Sequence, residues 1–190
     1  MPDNAPLRIR SICGSLRRAS YNAAVRRALP SLAPATMQIE VLDGIGSFPL
    51  YDADIEADGF PQAVLDMADA IRAADGLIIC TPEYNNSVPG VLKNAIDWLS
   101  RVPQQPFSEK PVALQSASPG QFGGVRSQLA LRPILATLNA FVLNRPGIMI
   151  AQARSKFDAE TGDLKDQATS DLIAKQLAAF ATFVRRLTPR

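Results

Sequence analysis

The sequence predicts an α/β protein built around a parallel β-sheet, and three observations support this fold class. Short apolar runs typical of buried strands alternate with helical patterns along the whole chain, as in right-handed βαβ units. Residues 76–81 form a very apolar run that is typical of a central strand. The 190 residues contain no repeat, linker or low-complexity tract, which favours a single domain over residues 1–190.

Each element follows from its apolar residues and from the residues that interrupt it. Apolar side chains recur at helical spacing over residues 21–32, and Pro34 ends that helix. Residues 43–59, rich in Gly, Asp and Pro, are expected to be a surface loop. Pro133 either kinks a helix or marks its boundary. Five strands are predicted at residues 7–13, 38–42, 76–81, 110–116 and, with an interruption, 141–150. Five helices are predicted at residues 21–32, 61–74, 89–102, 124–138 and 170–187.

Composition narrows the classes of function. Twenty Lys and Arg against eighteen Asp and Glu give a formal net charge of +2, too small to favour nucleic-acid or membrane binding in general. The chain has no His and only two Cys, so it lacks the usual ligands of structural zinc. It also cannot build a Ser-His-Asp or Cys-His catalytic set. We therefore expect no metal site and no hydrolase of those classes.

The two cysteines, Cys13 and Cys80, each end a run that is predicted to be a buried strand. A free Cys in such a position usually behaves as a small hydrophobic residue. The N-terminal residues lack the charged and apolar regions of a signal peptide, and no segment approaches a transmembrane span. A cytoplasmic protein with two reduced, unbridged thiols is expected.

Ligands of open parallel sheets bind beyond the carboxyl ends of the strands, so the loops after strands one, three and four are candidates. The first loop, G-S-L-R-R-A-S-Y-N, opens a helix whose free N–H groups and dipole favour an anion. Ser15, Arg17, Ser20 and Asn22 add hydroxyl, cationic and amide groups, so the loop is predicted to hold a phosphate. The simpler interpretation is that Ser20 or Asn22 only caps the helix. The spacing of a P-loop or of a dinucleotide-binding turn is absent.

The second loop, T-P-E-Y-N-N-S-V-P-G, carries an aromatic ring and two amides between prolines. Pro82 stiffens the turn and Tyr84 offers an aromatic face. The amides of Asn85 and Asn86 can hydrogen-bond the edge of a flat heteroaromatic ligand. Glu83 could equally cap a loop. This loop therefore predicts a site for a planar ligand.

The third loop, S-A-S-P-G-Q-F-G-G-V-R, has three glycines that permit close backbone approach, and Ser118 at the strand end. Alone it indicates little, because Gly-rich loops are common. Trp98, on the helix after the second loop, is expected in the core or at an interface. Lys93 and Asp97 form an i, i+4 pair typical of a solvated helix face.

Together the three loops resemble those of the NADPH-dependent FMN reductase family, which includes bacterial quinone, azo-dye and chromate reductases. The resemblance spans residues 9–187 and rests on G-S-L-R-R-A-S-Y-N, P-E-Y-N-N-S-V-P-G-V-L-K-N-A-I-D-W and S-P-G-x-x-G-G-x-R, of which the second is the most specific. It implies a flavodoxin-like three-layer sandwich, with a five-stranded sheet of order 2-1-3-4-5 and helices on both faces.

The resemblance also implies which residues would bind FMN. The 5′-phosphate would lie on the first loop, at Ser15, Arg17, Ser20 and Asn22. The isoalloxazine would lie against the second loop, at Pro82, Glu83, Tyr84, Asn85 and Asn86, with a further contact from Ser118. Close relatives often have an aromatic residue where this chain has Asn86.

The implied activity is an NAD(P)H-dependent oxidoreductase with a ping-pong cycle. NADPH or NADH passes a hydride to FMN, and a small-molecule acceptor such as a quinone, an azo dye or a metal oxyanion then takes the electrons. Family members place FMN near a subunit boundary, so a homo-oligomer, either a dimer or a tetramer, is expected. Trp98 and Leu99 are expected to contribute to that boundary.

Two alternatives stay open at this point. A flavodoxin-type carrier would hold FMN without oxidising a nicotinamide, but such carriers typically have a Thr/Ser and Gly-rich phosphate loop and an acidic surface. This chain has Arg17 and Arg18 in the loop and is slightly basic. A flavin-binding regulatory protein is the third candidate.

Overall fold

The sheet at the centre of the structure is parallel throughout. The computed structural model describes residues 5–187, and these contain six strands: β1 (Leu7–Cys13), β2 (Met37–Val41), β3 (Gly76–Cys80), β4 (Pro111–Ala117), β5 (Phe141–Val142) and β6 (Ile148–Ile150). Their order is β2-β1-β3-β4-β5, as expected, and β6 also pairs with β4. The start of β4 pairs with β5 and its end pairs with β6. The predicted interrupted strand is thus two segments, separated by a stretch in which Pro146 has no N–H for the ladder.

Helices cover both faces of this sheet. The described residues form six α-helices: α1 (Tyr21–Leu32), α2 (Ala53–Asp58), α3 (Gln62–Arg72), α4 (Gly90–Arg101), α5 (Val125–Thr137) and α6 (Gln167–Leu187), besides two 3-10 turns at Ile45–Ser47 and Ala153–Ser155. Side chains of α1 and α6 share one apolar core with the sheet, and those of α3, α4 and α5 share the other. The flavodoxin-like three-layer sandwich is therefore confirmed. Helix α5 continues through Pro133, and within residues 5–187 no helix has the length and apolar character needed to cross a membrane.

The helix α2 lies in a segment that the sequence predicted to be loop. Asp52 caps it by accepting the Asp54 N–H at 2.9 Å, and none of its side chains is buried. Without a buried face the segment has no apolar stripe, so periodicity could not indicate a helix there. Most of residues 43–59 are at the surface as expected, but Ile45 and Phe48 are buried in the core, and the segment contains a 3-10 turn at Ile45–Ser47 besides α2.

Trp98 and Leu99 belong to the core of the chain itself. Both side chains are fully buried, and the Trp98 Nε1–H donates to the Pro49 carbonyl at 2.9 Å. The Tyr51 ring packs edge-on against the indole with centroids 5.1 Å apart. The prediction that these two side chains contribute to a subunit boundary is wrong, because an amphipathic stripe alone does not distinguish a core face from an interface.

The three candidate loops leave neighbouring strands at one edge of the sheet. Cys13, at the end of β1, is in register with Cys80 at the end of β3, and Cys80 is in register with Gln115 of β4. Backbone bonds continue past the strands, from the Gly14 N–H to the Cys80 carbonyl and from the Thr81 N–H to the Gln115 carbonyl, each at 2.9 Å. The register therefore brings the loops together.

Both thiols lie just below that edge, free and buried. Burial raises the pKa of the Cys13 thiol, and it raises the pKa of Cys80 well above its usual range. A neutral, enclosed thiol is a poor nucleophile. The predicted packing role of Cys13 and Cys80 is confirmed.

Candidate functional site

The first loop leads into α1 and leaves backbone donors open. The Ser20 Oγ caps the helix by accepting the Asn22 N–H at 3.2 Å, so the predicted capping role is real. The N–H groups of Leu16, Arg18 and Ala19 have no hydrogen-bond partner among residues 5–187. These donors and the positive end of a 12-residue helix form a place for an anion.

Arg17 adds an unneutralised positive charge to this loop. Its guanidinium is exposed, lies 5.8 Å from the centroid of the Tyr21 ring, and forms no ion pair with a carboxylate of the described chain. The Arg17 N–H donates to the Ser15 Oγ at 3.4 Å, and that hydroxyl lies 3.4 Å from the Tyr84 hydroxyl. The loop is therefore cationic and lies directly beside the second loop.

The second loop contains a two-residue hairpin turn. Tyr84 and Ser87 pair across it, with N–H to carbonyl distances of 3.2 and 3.0 Å. Asn85 and Asn86 have φ angles of 49° and 64°, the left-handed values of a type I′ turn that Asn tolerates better than most residues. The backbone conformation by itself therefore favours Asn at both positions, whatever their exposed amides bind.

Glu83 connects the second loop to the start of α5. Its carboxylate accepts the Arg126 N–H at 2.9 Å and pairs with the Arg126 guanidinium at 3.1 Å. The guanidinium also lies 4.5 Å from the centroid of the exposed Phe122 ring. The Glu83 carboxylate is therefore bonded to the first turn of α5, whereas the alternative interpretation had it cap the loop. The role of Arg126 could not be predicted from the sequence, because 43 residues separate the partners and no local pattern links them.

Asn22 joins the first loop to the third. Its side chain is buried; the amide Nδ2 donates to the Ala117 carbonyl at 3.0 Å, and the Oδ1 accepts the Ala117 N–H at 2.8 Å. This two-way bond fixes the start of α1 against the end of β4. The second hydrogen on the Asn22 Nδ2 takes part in neither of these bonds.

Two glycines of the third loop lie where a larger residue would clash with its neighbours. Gly123 and Gly124 have φ angles of 59° and 85°, and a Cβ on either would come within 2.8 Å of Met149 or Ser116 atoms. The Ser116 hydroxyl donates to the Gly123 carbonyl at 2.6 Å, and Ser118 accepts the Gly120 N–H at 3.1 Å. The loop is thereby held tightly against β4 and β6.

Eight of the ten predicted residues line one pocket of about 310 Å³. They are Ser15, Arg17, Ser20, Asn22, Pro82, Glu83, Tyr84 and Ser118. Asn85 and Asn86 do not line it, and Tyr21, Ala117 and Pro119, which the sequence analysis did not select, complete it. The volume lies at the low end of the range for small-molecule sites.

One end of this pocket offers a cation, hydroxyls and open N–H groups, and the other offers the Tyr84 ring and rigid prolines. Such an arrangement can bind a ligand that joins an anionic group to a flat ring system. Within residues 5–187 there is no cluster of three or more His, Cys, Asp or Glu side chains that could hold a metal ion.

The fold places the chain among flavodoxin-like α/β proteins. The sequence model of a family described as NADPH-dependent FMN reductase matches residues 7–155. The chain belongs to this family. Membership confirms the expected oxidoreductase class, its cofactor FMN and its co-substrate, NADPH or NADH, and it implies a small-molecule acceptor.

Individual relatives are similar to this chain over nearly its full length. The chain is 50% identical over 182 residues to a quinone reductase of Escherichia coli, covering 95% of this chain and 97% of the relative. It is 49% identical over 181 residues to an NAD(P)H-dependent FMN reductase of Pseudomonas aeruginosa, with the same coverage. Among solved structures, FerB of Paracoccus denitrificans, a flavoenzyme NAD(P)H:(acceptor) oxidoreductase, matches with a TM-score of 0.84 at 32% identity, covering 95% of this chain and 98% of FerB.

Proposed function

We propose that the 310 Å³ pocket is the FMN site, with the phosphate at the first loop. Arg17 and the open N–H groups would hold a phosphate by charge-assisted hydrogen bonds. The hydroxyls of Ser15 and Ser20 line the same pocket. Asn22 would offer its remaining Nδ2 hydrogen while its other bonds position Ala117.

The flat part of FMN would lie against the second loop. Pro82 and Tyr84 supply its rigid and aromatic surface, and Ser118 lies on the side of the third loop. Glu83 would act chiefly by fixing this loop to Arg126. Asn85 and Asn86 would act at the rim, where their turn sets the position of Tyr84.

The single observation that carries this proposal is the meeting of two sequence-distant loops in one pocket. The Ser15 and Tyr84 hydroxyls, 69 residues apart in sequence, lie 3.4 Å from each other. This contact joins a cationic cradle for one phosphate to an aromatic surface. A single cradle and a pocket of this volume suit FMN better than the longer FAD.

FMN, when bound, would supply two-electron redox chemistry: NAD(P)H would lose a hydride to become NAD(P)⁺, and a quinone acceptor would gain two electrons and two protons, one proton from that hydride and one from solvent. The protein needs to hold the ring and leave one face open, so no catalytic side chain is required. A ping-pong order follows if donor and acceptor use that face in turn. The quinone reductase relatives support a quinone, which would become a hydroquinone, and azo dyes and metal oxyanions are further candidate acceptors.

Assembly and location belong to the same proposal. We expect one FMN-binding domain over residues 1–190, in a cytoplasmic homo-oligomer, either a dimer or a tetramer. Phe122, just before α5, and Leu129, in the second turn of α5, are 57% and 61% exposed. Exposed apolar side chains of this size are typical of interaction surfaces when they lie together. They replace Trp98 and Leu99 as the candidate interface residues.

Anaerobic titration tests the reaction directly. Protein saturated with FMN should lose its visible flavin absorbance when NADPH is added, and benzoquinone should then restore it. An FMN carrier without nicotinamide oxidation would keep its colour in NADPH and lose it only with dithionite. A protein that binds no FMN would contradict both alternatives.

A further inference from the structure

A second pocket adjoins the proposed FMN pocket. Its volume is about 470 Å³, and it shares Ser20 and Tyr21 with the first pocket. Arg18 and Arg27 line one side, and the hairpin loop at residues 159–163 lines the other. The pockets near Met149 and near Phe48 share no lining residue with the FMN pocket. The second pocket therefore continues the first beyond its phosphate end.

The two arginines of this second pocket differ in their partners. The Arg27 guanidinium lies 3.6 Å from the Asp163 carboxylate and donates to the Gly162 carbonyl at 3.4 Å. Its charge is balanced within the chain. Arg18 is exposed and makes neither an ion pair nor a hydrogen bond with any residue between 5 and 187. Arg18 is thus the cation of this pocket that is open to a ligand.

The opposite wall is formed before any ligand binds. The Asp158 carboxylate accepts the N–H groups of Glu160 and Thr161 at 2.9 Å each, and Phe157 pairs with Leu164 across the hairpin. The Tyr21 ring packs against Phe157 with centroids 5.1 Å apart. The hairpin is thereby fixed against the start of α1, and a ligand would not have to order it.

From these contacts we propose that the second pocket takes the adenosine half of NADPH and that Arg18 binds its 2′-phosphate. The proposal rests on the proposed function of the first pocket. A dinucleotide whose nicotinamide covers the flavin ring is longer than the mononucleotide site, so its other half must pass one end of it. The adjoining pocket lies at the phosphate end of the site, which is the end we assign to that half, and guanidinium is the group that best matches phosphate. Arg18 is therefore a specificity-determining residue that favours NADPH over NADH.

Glu160 sharpens this assignment. Its exposed carboxylate lines the same pocket, and no side-chain partner holds it among the described residues. A carboxylate accepts hydrogen bonds from ribose hydroxyls but repels a 2′-phosphate. Arg18 and Glu160 thus have opposite effects on NADPH, and removing each charge shifts the preference in opposite directions.

Steady-state kinetics of the FMN-loaded protein test both residues. Arg18→Ala should raise the KM for NADPH about tenfold, the loss of one charge-assisted bond, and leave the KM for NADH unchanged. Glu160→Gln should lower the KM for NADPH about twofold or threefold, because a like charge beside the 2′-phosphate is removed, and should raise the KM for NADH, because an amide accepts a ribose hydroxyl bond less strongly than a carboxylate. Lys175→Ala is the matched control, since Lys175 is an exposed cation that lines a different pocket. It should change neither KM.

A binding measurement makes the result independent of turnover. Calorimetry with FMN-saturated protein should show that adenosine 2′,5′-bisphosphate binds about tenfold more tightly than adenosine 5′-phosphate, and that Arg18→Ala removes this difference. Equal binding of the two probes, or equal changes in KM for NADPH and NADH, would overturn the assignment. If the wild-type protein oxidises neither nicotinamide, the proposed function fails. The calorimetry alone then tests whether Arg18 in the second pocket binds a 2′-phosphate.

Discussion

The phosphate end and the ring end of the proposed FMN pocket differ in how fully their polar groups are satisfied. At the first loop, Arg17 has no ion-pair partner within the described chain, and three backbone N–H groups are open. At the second and third loops, Glu83 is bonded to Arg126 and the Asn85-Asn86 turn is closed by backbone bonds. Groups without partners can bind a ligand directly, whereas groups with partners hold the shape that the ligand meets.

Arg17→Ala should produce the largest effect on cofactor binding. If the guanidinium bonds the phosphate, its loss weakens FMN binding by about 1.5 to 3 kcal/mol. Fluorescence titration of apoprotein with FMN measures this change, and Arg17→Lys, which keeps the charge without the planar fork, should recover part of it. An unchanged FMN affinity in Arg17→Ala would place the phosphate elsewhere and remove the distinction between the two ends.

Asn22→Ala should reduce stability first and binding second. The variant leaves the Ala117 N–H and carbonyl without their buried partner, which costs about 1 to 3 kcal/mol of unfolding free energy. Urea unfolding measures the loss. Ser20→Ala is a suitable comparison, because it removes a helix cap from the same loop and should cost about 1 kcal/mol. A fully stable Asn22→Ala variant would show that this two-way bond is not what fixes the loops.

Glu83→Gln should have a smaller effect on stability. The Glu83–Arg126 pair is partly exposed and contributes about 0.5 kcal/mol, while Gln can still accept the Arg126 N–H. Asp97→Asn is the matched control, because it weakens the exposed Lys93–Asp97 pair on α4. Both variants should unfold at similar urea concentrations, but only Glu83→Gln should lower FMN affinity. Equal FMN affinities would mean that the pair does not position the second loop.

Cys13 and Cys80 should have the smallest effect on turnover. Because burial raises the pKa of both thiols, the folded protein should react slowly with thiol reagents at neutral pH. A Cys13→Ser, Cys80→Ser double variant that folds should keep its rate of hydride transfer, measured by stopped-flow absorbance. A folded double variant without that rate would give the cysteines a role beyond packing.

Periodicity and loop position allowed much of this structure to be predicted. Apolar runs identified every sheet position, because buried strands and amphipathic helices differ in period. The helix α2 was missed because it buries nothing, and Trp98 was misplaced because one apolar face serves core and interface alike. The three loops that the motifs selected lie together at one edge of the sheet, because the parallel strands that precede them end together there.

Partnerships between distant residues could not be predicted. The Glu83–Arg126 pair and the Asn22–Ala117 bond join residues 43 and 95 positions apart, and neither has a local pattern. The second pocket likewise needs the hairpin at residues 159–163 to approach the start of α1. One missed feature did have a local indication: two adjacent Asn residues tolerate the left-handed angles of a tight turn.

A crystal structure of the protein saturated with FMN would test the central claim most directly. The account predicts the FMN phosphate within hydrogen-bond distance of the Arg17 guanidinium and of at least one open N–H of the first loop. It also predicts the isoalloxazine against Pro82 and Tyr84. A phosphate held away from the first loop, or a ring bound apart from the second loop, would contradict the account.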